Sequence, residues 1–357
     1  MIQTPIRLLI AASGTGGHVF PAIALAEHLS DYQIEWLGVP NRLETQLVPK
    51  QYRLNTIAVE GFQKGFGISS LRTLGKLIGS ILKVRKLLRQ GNFQGVFTTG
   101  GYIAAPAVIA ARSLGLPVIL HEANALPGKV TRFLGPWCST VAVGFEAASQ
   151  YLPRVKTIYT STPVRSQFLS EEIEASLDLP IPQDVPVIVV FGGSQGAVAI
   201  NKLVRQSASA WFDAGAWVVH LTGDKDPEAE TLKHPQYICV PFYDNMAALL
   251  RRANLAITRS GAGSLIEMAV CGTPAILIPY PFAAEDHQTY NAKVFTSVGA
   301  ASMFQQSELT AEVLQSQVLD LLQHPEELRK MGEAAKAIAT PDSAEKLAQL
   351  VREVVER

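Results

Sequence analysis

At 357 residues the chain is long for one domain and comfortable for two, and an apolar content of 48% is ample for two cores. Positive and negative side chains balance at 31 each, and no nucleic-acid partner is expected. Cys138, Cys239 and Cys271 lack metal or redox spacing and read as reduced residues in or near a core, which argues against a disulfide framework.

The balance hides an asymmetry. Residues 1–165 hold 17 Lys and Arg against 7 Asp and Glu, while residues 166–357 hold 14 against 24. No acidic residue lies between Glu60 and Glu122. A basic half on a neutral protein points to an anionic surface or partner.

In chain order, the first strand is expected over 7–12. It runs into Ser13-Gly14-Thr15-Gly16-Gly17-His18, where a helix pattern starts. Glycines let a backbone approach a ligand closely, and a helix start offers free N–H groups and a positive dipole end. These glycines cut the first apolar run short, so no signal peptide is expected. His18 reads either as a cap or satisfied loop residue or as a general base. A helix N-terminus favours the neutral imidazole that a base needs.

A second strand is expected over 34–37. From Ile68 to Arg89 the pattern is amphipathic and basic: Leu71, Leu74, Leu77, Ile78, Ile81, Leu82, Leu87 and Leu88 interleave with Arg72, Lys76, Lys83, Arg85, Lys86 and Arg89. It reads either as a helix burying one face in its own domain or as a membrane-surface helix. The uncharged stretch 90–111 has the length to span a membrane. Gly91, Gly95, Gly100, Gly101 and Pro106 break it into strand, loop and helix start. Strands follow over 96–98, 117–120 and 140–143. His121-Glu122-Ala123-Asn124 lies at one strand end, a weak signal alone because His–carboxylate pairs are often structural. The linker is placed near Ser161-Thr162-Pro163-Val164-Arg165, and the acidic, proline-rich segment 171–186 suits a surface connection.

The second half opens with a strand over 187–191 and the loop Gly192-Gly193-Ser194-Gln195-Gly196, again followed by a helix pattern. Strands are expected over 216–221, 255–257 and 275–278. Arg259-Ser260-Gly261-Ala262-Gly263-Ser264 offers N–H groups to a diphosphate. A helix starting near Ala262 places Glu267 in its first or second turn, either reaching sugar hydroxyls or merely complementing the dipole. Asp286-His287-Gln288-Thr289-Tyr290-Asn291 follows a proline-rich strand end, where polar amides suit sugar recognition and Asp286 alternatively caps a helix. Beyond about residue 308 the pattern is helical, and Pro341 offers a kink that returns the last helix to the first domain.

Strand–helix alternation with short loops is the signature of parallel sheets covered on both faces. The halves also repeat one unit: strand, glycine loop, helix, Gly-x-Pro turn, strand, at 96–120 and again at 256–277. The expected fold is α/β, with two Rossmann-like doubly wound parallel-sheet domains facing an interdomain cleft. No Walker lysine follows a glycine loop, no cluster has metal-ligand spacing, and the first loop departs from the dinucleotide fingerprint.

Together the motifs Gly14-Thr15-Gly16-Gly17-His18-Val19-Phe20-Pro21, Thr99-Gly100-Gly101-Tyr102, His121-Glu122-Ala123-Asn124, Pro163-Val164-Arg165, Gly192-Gly193-Ser194-Gln195-Gly196-Ala197, Arg259-Ser260-Gly261-Ala262 with Glu267, and His287-Gln288 with Asn291-Ala292 resemble one family. It is the bacterial GT-B glycosyltransferases that act on the lipid intermediate of peptidoglycan synthesis. The resemblance covers nearly the whole chain. It implies an inverting transfer of N-acetylglucosamine from UDP-N-acetylglucosamine to the 4-hydroxyl of undecaprenyl-pyrophosphoryl-N-acetylmuramyl-pentapeptide, forming a β-1,4 disaccharide.

It also implies domains 1–162 with the C-terminal helix 341–357, bound to acceptor and membrane, and 163–340, bound to donor. Carried onto this sequence, Tyr243 would read the uracil edge through its backbone, with Arg165 nearby. Glu267 would take the ribose hydroxyls, and Ser194, Ala262, Gly263, Ser264 and Leu265 would surround the diphosphate. Gln288 and Asn124 would contact the sugar, and Thr15, Gly16 and Gly17 would meet the acceptor diphosphate. His18 would be the base. No cofactor or tightly held metal is implied, and the implied location is peripheral, on the cytoplasmic face of the inner membrane. Ser13, Ala123, Ser161-Thr162 and Gly263 depart from the family pattern without removing a proposed chemical group.

Overall fold

The computed structural model describes residues 5–59, 68–170, 177–193 and 196–357, with backbone alone over 68–73. The chain divides into two compact units, Met1–Arg165 with Pro341–Arg357, and Ser166–Thr340.

The first unit runs β1 (Arg7–Ala11), α1 (Gly16–Glu27), β2 (Gln33–Gly38), α2 (Glu44–Leu47), β3 (Arg53–Thr56), α3 (Ile68–Gln90), β4 (Gly95–Thr98), α4 (Ala104–Arg112), β5 (Val118–Glu122), α5 (Lys129–Leu134), β6 (Thr140–Val143) and β7 (Thr157–Tyr159). Its seven strands form a parallel sheet in the order β3-β2-β1-β4-β5-β6-β7. Side chains of a strand alternate between faces. In β1, Leu8 and Ile10 therefore join the core under α1, while Leu9 and Ala11 join the core under α3 and α4. Both faces are covered, which is why β1 reads as an unbroken apolar run.

The second unit runs β8 (Val187–Phe191), α6 (Val198–Asp213), β9 (Trp217–Leu221), β10 (Tyr237–Val240), α7 (Met246–Arg252), β11 (Leu255–Thr258), α8 (Ala262–Cys271), β12 (Ala275–Leu277), α9 (His287–Ser297), β13 (Ala301–Met303), α10 (Ala311–Gln323) and α11 (Pro325–Ala337). Its six parallel strands follow the order β10-β9-β8-β11-β12-β13. The last helix, α12 (Ser343–Val355), packs on α1 of the first unit, where Leu347 and Val351 enter the core. Tyr32 donates its hydroxyl to Glu356 at 2.7 Å and Arg352 reaches Asp31 at 2.5 Å, fastening that helix.

Four strands escaped the sequence reading: β3, β7, β10 and β13. They are the outermost strands of the two sheets. An edge strand has one paired side and a more exposed face, so it lacks the continuous apolar run of a central strand. The repeated Gly-x-Pro turns are real and alike. Gly115 (φ 72°) and Gly272 (φ 70°) are both left-handed, and the following N–H closes back on the helix, Leu116 to Ala111 and Thr273 to Met268. Only glycine adopts that conformation without cost. The 90–111 stretch becomes the end of α3, then β4, a loop and most of α4; among the described residues no helix is long and apolar enough to cross a membrane.

Candidate functional site

In an open parallel sheet, ligands bind beyond the carboxyl ends of the strands, where the strand order reverses. In the first unit that reversal falls between β1 and β4, and the loops that leave them are the two glycine loops 12–15 and 99–103. They are tied together: Thr98 donates its hydroxyl to Ala11 C=O at 2.8 Å and accepts Gly100 N–H at 3.3 Å. Thr15 is the extended N-cap of α1, and no side chain caps the helix. Gly16 and Gly17 are its first two residues, whose N–H groups have no acceptor within the helix. His18 and Val19 close on Thr15 C=O instead.

His18 is half-buried in this first turn and faces the second loop; a methyl group at Gly101 would sit 3.8 Å from its Nε2. His121, at the end of β5, is buried, and its Nε2 lies 3.0 Å from Ser161 C=O. A carbonyl only accepts, so Nε2 carries the proton. Burial lowers the His121 pKa and outweighs the opposing effects of the Ser161 carbonyl and Glu122, so this ring is a neutral structural strut. It pins Ser161, which is buried at φ 60°.

Glu122 is nearly buried and works as an organiser. One oxygen accepts both the backbone N–H and the side-chain amide of Asn124, and the other accepts Gly128 N–H at 3.1 Å and the Thr131 hydroxyl at 2.5 Å. Asn124 is thereby aimed from the end of β5. Arg165 stacks over Phe20 of α1 at 4.6 Å, so its guanidinium lies against the first unit.

In the second unit the reversal falls between β8 and β11. The loop after β8 turns tightly, Gly196 N–H to Gly193 C=O at 3.0 Å, and leads into α6. Ser194 and Gln195 lie outside the described residues. The loop after β11 leads into α8, whose N-cap Gly261 carries no side-chain cap. Ala262, Gly263 and Ser264 are its first turn. Leu265 is fully buried and its N–H is bonded to Gly261 C=O, so it serves packing. Glu267 is half-buried in the second turn, beyond the first-turn positions that best complement the dipole.

Arg259 is a brace. It donates to Ile278 C=O, Pro279 C=O and Gln306 Oε1, and stacks on Tyr280 at 5.4 Å; burial lowers its pKa to about 10. Ser260 donates to Gln288 C=O at 2.8 Å and its own carbonyl accepts the Asn291 amide at 3.1 Å. Gln288 Oε1 accepts Tyr280 N–H at 2.9 Å, which fixes which end of the amide is the oxygen and which the donor. Asp286 sits at the N-cap of α9 and accepts the Thr289 hydroxyl. Tyr243 donates its hydroxyl to Asp178, and burial followed by that carboxylate pushes the phenol up to about 12.

A buried polar cluster supports this end of the sheet. Asn201 of α6 donates to Thr222 C=O and to Asp226, and Asp226 also accepts Arg205 at 2.7 Å. With the Asn201 amide so oriented, His220 Nε2 donates to its oxygen and Nδ1 accepts the Tyr237 hydroxyl. Burial holds His220 neutral, with a pKa near about 3. The sequence reading missed this cluster, and it missed Glu44. Their partners are far apart in the chain or are backbone groups, so no spacing signal marks them. Burial pushes the Cys138 and Cys271 thiols up to about 12, away from the thiolate form.

Two doubly wound parallel-sheet units, each with glycine loops at its strand reversal, are the architecture of the GT-B glycosyltransferases. Residues 8–143 match the glycosyltransferase family 28 N-terminal domain, and residues 187–347 match the glycosyltransferase family 28 C-terminal domain. The chain is 78% identical over the full length of both proteins to a UDP-N-acetylglucosamine–N-acetylmuramyl-(pentapeptide) pyrophosphoryl-undecaprenol N-acetylglucosamine transferase of Nostoc punctiforme, and equally to one of Nostoc sp.. The crystal structure of Acinetobacter baumannii MurG superposes with a TM-score of 0.79 at 28% identity, covering 98% of this chain and 100% of that one. A kitacinnamycin glycosyltransferase shares the fold alone, at 0.75 and 16%. The chain belongs to the family of N-acetylglucosamine transferases that these Nostoc proteins represent.

Proposed function

We propose that this chain transfers N-acetylglucosamine from UDP-N-acetylglucosamine to the 4-hydroxyl of undecaprenyl-pyrophosphoryl-N-acetylmuramyl-pentapeptide, with inversion to a β-1,4 linkage. The glycine loops at both strand reversals are built for phosphates, and the full-length match at 78% identity supports these substrates over others that the fold serves.

In this reading the second unit holds the donor. The Tyr243 backbone reads the uracil edge, with Arg165 near it, and Glu267 takes the ribose hydroxyls. Ser194 and the N–H groups of Ala262, Gly263 and Ser264 hold the diphosphate. Gln288 donates its amide to the sugar, and Asn124, held by Glu122, contributes a second contact. The acceptor diphosphate meets Thr15, Gly16 and Gly17.

His18 then removes the proton from the muramyl 4-hydroxyl, whose oxygen attacks the anomeric carbon as UDP departs. The charge that grows on the leaving diphosphate is met by the α8 N–H groups and dipole end. An acceptor with a long lipid tail gives the basic first half a purpose.

The membrane contact follows α3. Val84 and Leu88 are buried, whereas Leu74, Ile78 and Leu82 are 46%, 51% and 60% exposed on one stripe. Exposed Lys83, Lys86 and Arg89 lie on the same helix, and Phe133 and Trp137 are exposed on the same unit. Apolar side chains in a cationic surround suit the anionic headgroups of the cytoplasmic face of the inner membrane, held peripherally.

UDP release, measured with and without a short-chain lipid-linked muramyl-pentapeptide, tests the reading. Release only with acceptor, together with a β-1,4 disaccharide, is the expected result. Donor binding without release would end it.

A further inference from the structure

We propose that Glu44 is a positioning residue for the acceptor: its carboxylate holds the first glycine loop in the form that receives the acceptor diphosphate. This rests on the acceptor role given above to residues 15–17. Glu44 opens the short helix α2 and is 0% exposed. One carboxylate oxygen accepts Gly14 N–H at 3.1 Å, and the other accepts Val39 N–H at 2.7 Å. Those donors lie on the loops that leave the adjacent strands β1 and β2. A single side chain thus clamps two loops at the carboxyl edge of the sheet.

A buried carboxylate is costly unless its oxygens are satisfied. Among the described residues no Lys or Arg pairs with Glu44, and the two backbone N–H groups are its compensation. A position that needed only packing would carry an apolar side chain at no such cost. The end of β2 is also shaped for it: a Cβ at Gly38 would lie 2.7 Å from Glu44 Cγ and 3.1 Å from Oε1.

The clamp decides which N–H groups meet an anion. Gly14 sits at φ 108°, with its N–H turned to Glu44. The N–H groups of Gly16 and Gly17, at the start of α1, are left to face the phosphates. Glu44 therefore selects the phosphate donors without touching the ligand. Aspartate is one methylene short of this span. Glutamine keeps one acceptor and sets an amide NH2 against a second N–H donor.

The test compares Glu44→Gln, Glu44→Ala and Gly38→Ala with the wild-type full chain. Steady-state kinetics use the short-chain lipid acceptor, and calorimetry measures the UDP-N-acetylglucosamine Kd. Hydrogen bonds to a charged group set the expected scale, an acceptor KM about tenfold to a hundredfold higher. Donor Kd should be unchanged in all three, with Glu44→Gln recovering part of what Glu44→Ala loses. An unchanged acceptor KM in a folded variant, or donor affinity lost in parallel, would overturn the inference. Gly38→Ala keeps the carboxylate and only displaces it, so it decides alone if the Glu44 variants fail to fold. A wild-type chain inactive on the lipid acceptor would instead remove the transferase reading, and this inference with it.

Discussion

Asn124 gives both its backbone N–H and its side-chain amide to the same oxygen of Glu122, each over 3.0 Å. The side chain placed by the proposal against the sugar is therefore held by a buried carboxylate two residues earlier. Glu122→Ala strands Asn124, Gly128 and Thr131 donors at once, and should cost more than Asn124→Ala. Leaving buried donors unpaired costs about 1–3 kcal/mol each. Chemical denaturation of the two variants checks the order, and equal stability would show that Glu122 organises nothing.

His18→Ala should lower turnover about a hundredfold to ten-thousandfold, the usual contribution of a positioned base. Donor binding should survive, because the proposed donor contacts other than Asn124 and Arg165 lie on the second unit. Turnover at the wild-type rate would take the base role from His18.

Glu267→Ala should weaken UDP-N-acetylglucosamine binding about tenfold to a hundredfold, the scale of hydrogen bonds to a carboxylate. UDP lacking its ribose 2′- and 3′-hydroxyls should bind wild type and variant equally. A variant that still discriminates the two nucleotides would place the ribose elsewhere.

The exposed stripe of α3 makes a physical prediction. Replacing Leu74, Ile78 and Leu82 by Ser should destabilise the fold only modestly, by about 1–2 kcal/mol, because each is already about half exposed and serine costs a few tenths of a kcal/mol per helical position. It should reduce sedimentation with anionic vesicles by about a hundredfold in partition coefficient, since burying the exposed half of each side chain contributes about 1 kcal/mol. Wild-type binding that does not distinguish anionic from neutral vesicles would count against the headgroup part of the reading.

His220 predicts an acid-side loss of stability. Its pKa is about 3 in the fold against the ordinary 6.5. Between those values the unfolded chain binds the extra proton, so stability falls as pH drops through that window. The slope is about 1.4 kcal/mol per pH unit, or about 2–3 kcal/mol between pH 6.5 and 4.5. His121, also lowered by burial, acts in the same direction. Urea midpoints at pH 7 and 4.5 should separate less in His220→Gln, which keeps one donor and one acceptor in the ring's place. An identical pH response in the variant would rule His220 out as the source.

The sequence by itself determined the interior of both sheets, because strands covered on two faces must be apolar at every position. It also determined the turns at Gly115 and Gly272, where the backbone needs the left-handed region and only glycine supplies it cheaply. The glycine loops at 13–17 and 192–196 were equally legible, as was the basic helix pattern from Ile68. The tertiary structure decided the rest. The edge strands β3, β7, β10 and β13 gain their identity from a neighbour, so their own residues carry little pattern. The apolar residues of α3 repeat around the helix, and only packing shows that Val84 and Leu88 are covered while Leu74, Ile78 and Leu82 are not. His121 and Glu122 read alike as a polar pair, yet one braces Ser161 and the other aims Asn124. Glu44 had no signature at all, because its partners are backbone N–H groups, and backbone groups carry no letter in a sequence.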